Sequence, residues 1–405
     1  MPITRRVFLR NSALAVVGTT AVPTFLTRAA LGAVEPSTRT KRLVVIFQRG
    51  AADGLNIVVP HGERAYYAMR PSINIPRKDV LDLDSFFGLH PSLASFQPLW
   101  DQRHLAIVHA AGSPDPTRSH FDAQDFMESG TPGLKATADG WLNRGLPPTN
   151  SPRVSPLRAV SLGPVLSRAV RGARQAIALQ NVGDFQVRDA QAAKAFEELY
   201  LGTPDPALRA TGRETFEAVN MLQAIRKTPY QPLAEYPRGR FGDSLRQIAQ
   251  LIKADVGLEV AFADIGGWDH HVNELGQRAS EGQLANLLRE YGRALGAFWQ
   301  DMGDRMADVV LVTMSEFGRT AHENGNRGTD HGHANCMFVL GGPVKGGKIY
   351  GQWPGLEKEQ LYEGRDLALI TDFRDVLGEL VARHLGNPAL TEVFPGYQPR
   401  FLGVV

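Results

Sequence analysis

Residues 309–342, VVLVTMSEFGRTAHENGNRGTDHGHANCMFVLGG, contain two apolar runs joined by a polar, glycine-rich loop. The runs VVLVTM and CMFVLGG are apolar at consecutive positions, which is typical of strands buried on both faces. Glu316, Asp330, His331 and His333 lie in the loop between them. Imidazole and carboxylate groups suit zinc, manganese and iron. The stretch therefore predicts a buried sheet with a metal-binding loop at its edge.

Other apolar runs bounded by turn residues predict further strands. They lie at 42–47, 104–112, 175–180 and 258–267. Strands that are apolar on both faces suit a parallel sheet covered by helices on each side. The predicted fold class is therefore α/β, with three αβα layers around a mostly parallel central sheet.

Helical patterns separate these strands. Apolar residues recur at three- and four-residue steps in 280–302, and 371–386 has a similar pattern. Between about 189 and 256 there is no strand pattern, and three helical patterns follow one another. We therefore predict one α/β domain over 36–405 with a helical insertion at about 189–256.

Residues 1–35 have the features of an export signal. Arg5 and Arg6 precede Phe8 and Leu9, an apolar run of small residues follows, and small residues recur near residue 30. This pattern is typical of a twin-arginine signal peptide, with cleavage at about residues 30–36. The run is too short, and too often broken by Gly, Thr and Pro, to span a bilayer. The sequence thus predicts a periplasmic or secreted protein that meets the twin-arginine translocase during export.

Charge and cysteine content exclude several other classes of protein. Residues 1–33 hold four of the 44 Lys and Arg residues and none of the 42 Asp and Glu residues, so the remainder has a net charge of −2. A nucleic-acid partner therefore has no electrostatic support. No later segment is apolar for long enough to form a stable membrane span. The single cysteine, Cys336, excludes an internal disulfide.

Polar side chains follow several of the predicted strands directly. In a parallel sheet such positions share one edge, where ligands of α/β proteins bind. Asp269 and His271 are two residues apart, as are His331 and His333, so in extended backbone each pair points to one side. The pattern favours a metal site. The alternative roles are turn former and helix cap for the aspartates, and solvated or core residue for the histidines.

Ser119 precedes a predicted helix and is a candidate nucleophile. The positive end of a helix dipole and a nearby cation both activate a hydroxyl group in this position. The alternative role of Ser119 is that of a simple N-cap. Arg49, Arg118 and Arg319 adjoin the same motifs, and arginine binds phosphate or sulfate oxygens with two parallel hydrogen bonds.

The succession RGAADGLNIVVP, FGLHPSL, SHFDAQDFMESG, GGWDHH, SEFGRT and GTDHGHAN resembles the bacterial exported family catalogued as domain of unknown function 1501. The resemblance covers nearly all of the chain after the leader. That family is similar to the alkaline phosphatase-like superfamily, which includes sulfatases and phosphodiesterases. The resemblance implies an αβα fold with one or two divalent metal ions at the sheet edge. It also implies a Ser, Thr or formylglycine nucleophile.

The resemblance further implies roles for single residues. Ser119, or alternatively Thr117, corresponds to the nucleophile, and Arg49 and Arg319 would neutralise the oxyanion. The implied metal ligands are Asp53, Asp269, His271, Glu316 and one or both of His331 and His333.

Two departures from the superfamily pattern bear on the chemistry. Glu316-Phe317 stands where an adjacent Asp-His pair is usual, so one ligand of a second metal site is missing unless Asp330 or His331 folds back to provide it. No C-x-P-S-R signature is present, which argues against formylglycine chemistry. The sequence therefore predicts an exported metal-dependent hydrolase of small-molecule or polymer-borne phosphate (or sulfate) esters. Zinc is the first candidate metal, with Mn, Fe or Ca as alternatives. The alternative function is a non-catalytic exported binding or assembly protein on the same fold.

Overall fold

The computed structural model describes residues 40–149, 154–182, 197–227 and 229–405. The predicted signal peptide and the first residues of the predicted insertion lie outside these ranges. Among the described residues, no helix combines the length and the hydropathy that crossing a membrane requires.

The described residues build a nine-stranded central sheet. Its strands are β1 (Arg42–Gln48), β2 (Leu105–Gly112), β3 (Ala159–Leu162), β4 (Ile177–Leu179), β5 (Val260–Ile265), β6 (Val309–Ser315), β7 (Asn335–Gly341), β8 (Lys348–Tyr350) and β9 (Thr371–Asp372). The order across the sheet is β8-β2-β7-β6-β1-β5-β3-β4, and β9 pairs with β2. A separate small sheet joins Val58–Val59, Gly88–Leu89 and Leu81–Asp82.

Most neighbouring strands are parallel, which confirms the predicted α/β class. β1 pairs in parallel with β5 and β6, and β3 pairs in parallel with β4 and β5. β7 runs antiparallel to both of its neighbours, β2 and β6. Because β6 and β7 are antiparallel neighbours, the loop 316–334 leaves and re-enters the sheet at the same edge. That edge is also the carboxyl end of β1 and β5.

Helices cover both faces of the sheet. The longer ones are α1 (His120–Ser129), α2 (Pro206–Lys227), α3 (Arg240–Lys253), α4 (Gln283–Met302) and α5 (Phe373–Glu379). Short α-helical segments lie at Gly54–Ile57, Arg64–Met69, Gln97–Asp101, Trp141–Gly145 and Leu390–Val393. Other short helical turns occur at Arg77–Asp79, Pro91–Phe96, Arg168–Val170, Gly303–Asp308, Lys358–Gln360 and Leu380–His384. The described part of 189–256 holds α2 and α3.

Side chains of β1 alternate between two hydrophobic cores. Leu43, Val45 and Phe47 belong to the core that also contains residues of α1 and α5. Val44 and Ile46 belong to the core that contains residues of α3 and α4. Strands buried on both faces are the reason that the sequence shows continuous apolar runs rather than alternation.

His109 of β2 is a buried histidine for which we predict an effect on stability. Its Nε2 lies 3.0 Å from the carbonyl oxygen of Val58, and its Nδ1 accepts from the N–H of Ala110 at 2.9 Å. Burial lowers the pKa of His109 from 6.5 to about 4. Below pH 6.5 the unfolded chain therefore binds a proton that the native state excludes.

His109 should thus lower the free energy of unfolding by about 1.4 kcal/mol for each unit that the pH falls from about 6.5 towards about 4. We expect urea unfolding at pH 7 and pH 5 to show a smaller loss of stability in His109→Gln than in the wild type. The amide of glutamine keeps a donor for the Val58 carbonyl without titrating. Equal losses in the two proteins would contradict this prediction.

Candidate metal centre

Four side chains from three parts of the chain converge at the carboxyl edge of the sheet. His120 begins α1, Asp269 and His271 follow β5, and His331 lies in the loop between β6 and β7. The Nε2 atom of His331 lies 3.0 Å from Nε2 of His120 and 3.1 Å from Nε2 of His271. Asp269 Oδ1 lies 2.9 Å from His271 Nε2 and 3.3 Å from His331 Nε2. Its Oδ2 lies 3.4 Å from His120 Nε2.

The Nδ1 atom of each of these histidines faces an oxygen that can only accept a hydrogen bond. The pairs are His120 with Glu316 Oε1 (2.8 Å), His271 with Asp330 Oδ1 (3.0 Å) and His331 with the carbonyl oxygen of Arg118 (2.9 Å). These acceptors assign the proton to Nδ1 in the neutral imidazole, so the Nε2 lone pairs face one another. Lone pairs held this close repel unless a metal ion or a shared proton lies between them.

The spacing of these atoms fits a small divalent cation. Ligands about 2.0–2.1 Å from a tetrahedral zinc ion lie about 3.3 Å from one another. The separations between the nearest atoms of His120, Asp269 and His331 run from 3.0 to 3.4 Å. The ligating atoms of His120, Asp269 and His331 all lie within 4.8 Å of one another. We therefore identify His120, Asp269 and His331 as the candidate metal-binding cluster. His271, whose Nε2 lies 2.9 Å from Asp269 Oδ1 and 3.1 Å from His331 Nε2, is a further candidate ligand beside it.

Arg319 holds the carboxylate of the cluster in its ionised form. Its Nη1 donates to Asp269 Oδ1 at 2.6 Å, and its side chain is fully buried. Burial pushes the pKa of Asp269 upward, but the hydrogen bond and charge of Arg319 outweigh it and leave the pKa below its ordinary value. Asp269 and His271 are 43% and 40% exposed, so one side of the cluster is open to solvent.

His120 and His331 differ in their affinity for protons. The hydrogen bond from Glu316 raises the pKa of His120, against the effect of burial. Burial lowers the pKa of His331, and the backbone hydrogen bond to Arg118 opposes it. A metal must displace a proton more often from His120 than from His331, so metal binding should weaken in acid.

Glu316 lies beside the cluster rather than in it. It is 1% exposed, and its Oε1 accepts hydrogen bonds from His120 Nδ1, Gln124 Nε2 and the N–H of Gly50, each at 2.8 Å. With three donors on Oε1, the carboxylate orients His120, which departs from the expectation that Glu316 itself binds metal.

The structure does not bring Asp53 or His333 to the cluster. Both oxygens of Asp53 accept hydrogen bonds from the buried guanidinium of Arg70, one of them at 2.9 Å. The ring of His333 stacks on Tyr362 with 4.3 Å between centroids. Of the two histidines that the sequence left open, His331 is the one whose nitrogen faces the other candidate ligands.

The arginines predicted to bind an oxyanion are engaged by protein acceptors. Arg49 donates to Asp264 (2.6 Å), Gln124 (2.9 Å) and Glu128 (2.8 Å). Arg319 donates to Asp269 and to Thr329. Their guanidinium groups therefore organise the site, in contrast to the expectation that they meet the substrate.

Ser119 is the N-cap of α1, directly before the ligand His120. Its Oγ accepts from the N–H of Asp122 at 3.4 Å, and its own N–H donates to Thr117 Oγ1 at 3.2 Å. The cap fixes the first turn of α1 and therefore the position of His120. Sequence reasoning assigned a role to the hydroxyl before this helix and none to the histidine beside it, although both stand at the same sheet edge.

A protein-family model described as "Protein of unknown function (DUF1501)" matches residues 40–388. Since the match covers most of the chain, the protein belongs to this family, as its sequence motifs predicted. No curated protein sequence matches it.

Several solved structures are similar to this one. The PsFucS1 sulfatase from Pseudoalteromonas sp. matches with a TM-score of 0.37 and 12% identity, over 91% of this chain and 73% of that one. An alkaline phosphatase superfamily protein from Vibrio parahaemolyticus has values of 0.34 and 9%, over 77% and 62%. The C-terminal periplasmic domain of EcEptC from Escherichia coli, in a complex with Zn, has 0.34 and 11%, over 76% and 74%.

Proposed function

We propose that this protein is an exported metal-dependent hydrolase of phosphate or sulfate esters. One observation carries the proposal: the Nε2 atoms of His120 and His331 and the carboxylate of Asp269 converge at a solvent-facing edge of the sheet, with His271 Nε2 3.1 Å from that of His331. Histidine and carboxylate ligands that remain open to solvent are typical of catalytic metal sites. The slight negative charge after the leader supports a small-molecule or polymer-borne ester over a nucleic-acid partner.

The donor set favours zinc among the candidate metals. Three nitrogens and one carboxylate suit Zn, and Mn or Fe are alternatives, whereas calcium takes oxygen ligands almost entirely. A divalent cation held here would polarise an ester oxygen and neutralise the charge that develops on it. We infer one metal ion, because Asp53 is occupied by Arg70 and Glu316 by His120.

The protein residues would then bind and orient the ester. Ser119, one residue before the ligand His120, is the proposed nucleophile. Arg118 adjoins it and is the arginine we expect to meet the charged group. Its Nη2 donates to Glu363 and Asp366 at 2.7 Å, and its side chain is 32% exposed. Arg49 and Arg319 would act by holding neighbouring side chains in place.

Export by the twin-arginine route belongs to the same proposal. The translocase carries folded proteins, so the metal would be bound before the protein reaches the periplasm or the outside of the cell. The paired arginines Arg5 and Arg6 support this route.

A non-catalytic binding or assembly protein is the second candidate function. It is favoured by the full engagement of Arg49 and Arg319 and by the capping role of Ser119. In that case the metal would be structural, and Ser119 would matter only for the stability of α1.

The experiment that separates the two functions compares Ser119→Ala with the wild type. Protein exported with its own leader and purified without chelators would be analysed for metal and assayed on aryl phosphates and aryl sulfates. The hydrolase proposal expects metal in both proteins and a loss of at least about 100-fold in kcat in the variant. Asp372→Ala, which removes the N-cap of α5, is the matched control and should keep full activity.

Loss of a cap alone costs about 1 kcal/mol of stability. A Ser119→Ala protein that loses this stability and keeps wild-type kcat would remove Ser119 from the proposed mechanism. A wild-type protein that binds metal and hydrolyses neither class of ester would favour the binding or assembly function.

A further inference from the structure

Glu274 is a fully buried carboxyl group three residues after the ligand His271. Its Oε1 accepts a hydrogen bond from Asn56 Nδ2 at 3.0 Å, and its Oε2 accepts from Thr329 Oγ1 at 3.2 Å. It is not among the converging ligands, and neither the sequence motifs nor the metal geometry requires it. A buried carboxyl group without a structural cation of its own is expensive to maintain.

A chain of hydrogen bonds connects Glu274 to the metal cluster. Arg319 donates from Nε to Thr329 Oγ1 at 3.0 Å and from Nη2 to the Thr329 carbonyl. Because a guanidinium only donates, Thr329 accepts from Arg319, and its hydroxyl hydrogen is left for Glu274. Arg319 in turn donates to Asp269 Oδ1 at 2.6 Å. The orientation of the ligand Asp269 thus depends on Thr329 and on what holds Thr329.

The charges around Glu274 are balanced only when it is neutral. Arg70 pairs with Asp53, and Arg319 pairs with Asp269, so these four buried or half-buried groups cancel. Burial, and then the neighbouring Asp53 carboxylate, raise the pKa of Glu274 well above its ordinary value, with Arg70 opposing. The Glu274 carboxyl group also shares a hydrogen bond with Asp53.

We propose that Glu274 is a positioning residue of the metal centre, which holds Thr329 and through it keeps Arg319 directed at Asp269. It acts as a neutral acid, so an amide whose oxygen faces Thr329 can replace it. The role rests on the proposed function only in requiring that Asp269 binds a metal ion.

The test is the affinity of the purified protein for Zn²⁺, measured by competition with a chromophoric chelator. Glu274→Ala and Thr329→Val both break the chain of hydrogen bonds and should weaken zinc binding by about 10–100-fold, the range typical of groups that orient ligands. Glu274→Gln should keep wild-type affinity. Thr329→Val preserves the shape of the side chain, so it decides the question if Glu274→Ala does not fold.

Glu379→Ala is the matched control. Glu379 is also fully buried, but it accepts from the backbone N–H groups of Leu402 and Gly403, far along the chain from the cluster. It should lower stability and leave zinc affinity unchanged. The inference is overturned if the control weakens zinc binding as much as Glu274→Ala, or if Thr329→Val binds zinc like the wild type.

The Gln variant tests the neutral state separately, since a loss equal to that of Glu274→Ala would show that a carboxylate is required. A wild-type protein that binds no zinc removes the proposed function together with this role. A wild type that binds zinc, with unchanged affinity in Glu274→Ala, removes this role alone.

Discussion

Replacing His331 with alanine should release the metal and lower the stability of the whole domain. The Nε2 atom of His331 is the central one of the three, 3.0 Å from that of His120 and 3.1 Å from that of His271. Its removal takes away the one nitrogen that lies close to His120, His271 and Asp269 alike. We expect a loss of zinc affinity beyond the roughly 10–100-fold typical of residues that only orient ligands.

The loss should also be visible as a change in stability. A metal present at 100 times its Kd stabilises the native state by about 2.7 kcal/mol, and the variant would lack this contribution. The measurements are elemental analysis of the purified protein and thermal unfolding with and without a chelator. The wild type should lose stability on chelation, whereas His331→Ala should not.

His333→Ala provides the matched control for this prediction. His333 lies two residues further along the same loop, and its ring stacks on Tyr362 rather than facing the cluster. It should keep its metal and its response to chelator. The opposite result, with metal lost from His333→Ala and kept by His331→Ala, would contradict the cluster as described.

Most strands of the sheet could be predicted from the sequence, because burial on both faces leaves a continuous apolar run. The predicted runs at 42–47, 104–112, 175–180, 258–267 and the two in 309–342 all correspond to strands of the sheet. β3, β8 and β9, which are two to four residues long, were missed. The direction of β7 could not be predicted, since an apolar run has the same pattern in either direction.

The candidate site was predicted as a region but not as a set of ligands. The polar residues after β5 and β6 lie at one sheet edge, which follows from the parallel pairing of both strands with β1. The relation of His331 to His333 was less predictable. Side chains two residues apart point the same way only in regular extended backbone. Here the backbone of His331 forms a β-bridge with Arg319, and the ring of His333 packs on Tyr362.

Glu316 was predicted as a metal ligand, whereas the structure places His120 in the cluster and Glu316 beside it. This difference has a similar cause. Both lie at the sheet edge, and either could bind a metal by residue type. The Glu316 carboxylate is buried under three donors, which leaves the His120 ring between it and the cluster. Asp53 accepts hydrogen bonds from Arg70, which directly follows the short helix Arg64–Met69 and lies 17 residues along the chain. Contacts of this kind depend on packing and leave no local pattern in the sequence.

Gly332, between the two histidines, should not tolerate a side chain. A Cβ at this position would lie 2.3 Å from the carbonyl carbon of Arg319 and 2.8 Å from the N of Thr320. The N–H of Gly332 also donates to the carbonyl oxygen of Gly318 at 2.8 Å. The loop therefore approaches its own first turn more closely than any residue with a Cβ allows.

Gly332→Ala must push apart the two backbone segments that carry Arg319 and His331. Since both groups contact Asp269, we expect the variant to lose most of its zinc affinity, along with about 1–3 kcal/mol of stability from overpacking. Gly325→Ala is the matched control, because a Cβ there meets nothing within 4 Å in the same loop. Zinc titration and urea unfolding of both variants check the prediction. Equal behaviour of Gly332→Ala and Gly325→Ala would mean that the loop can open at Gly332 without disturbing His331, and that close approach of the backbone is not what forms the site.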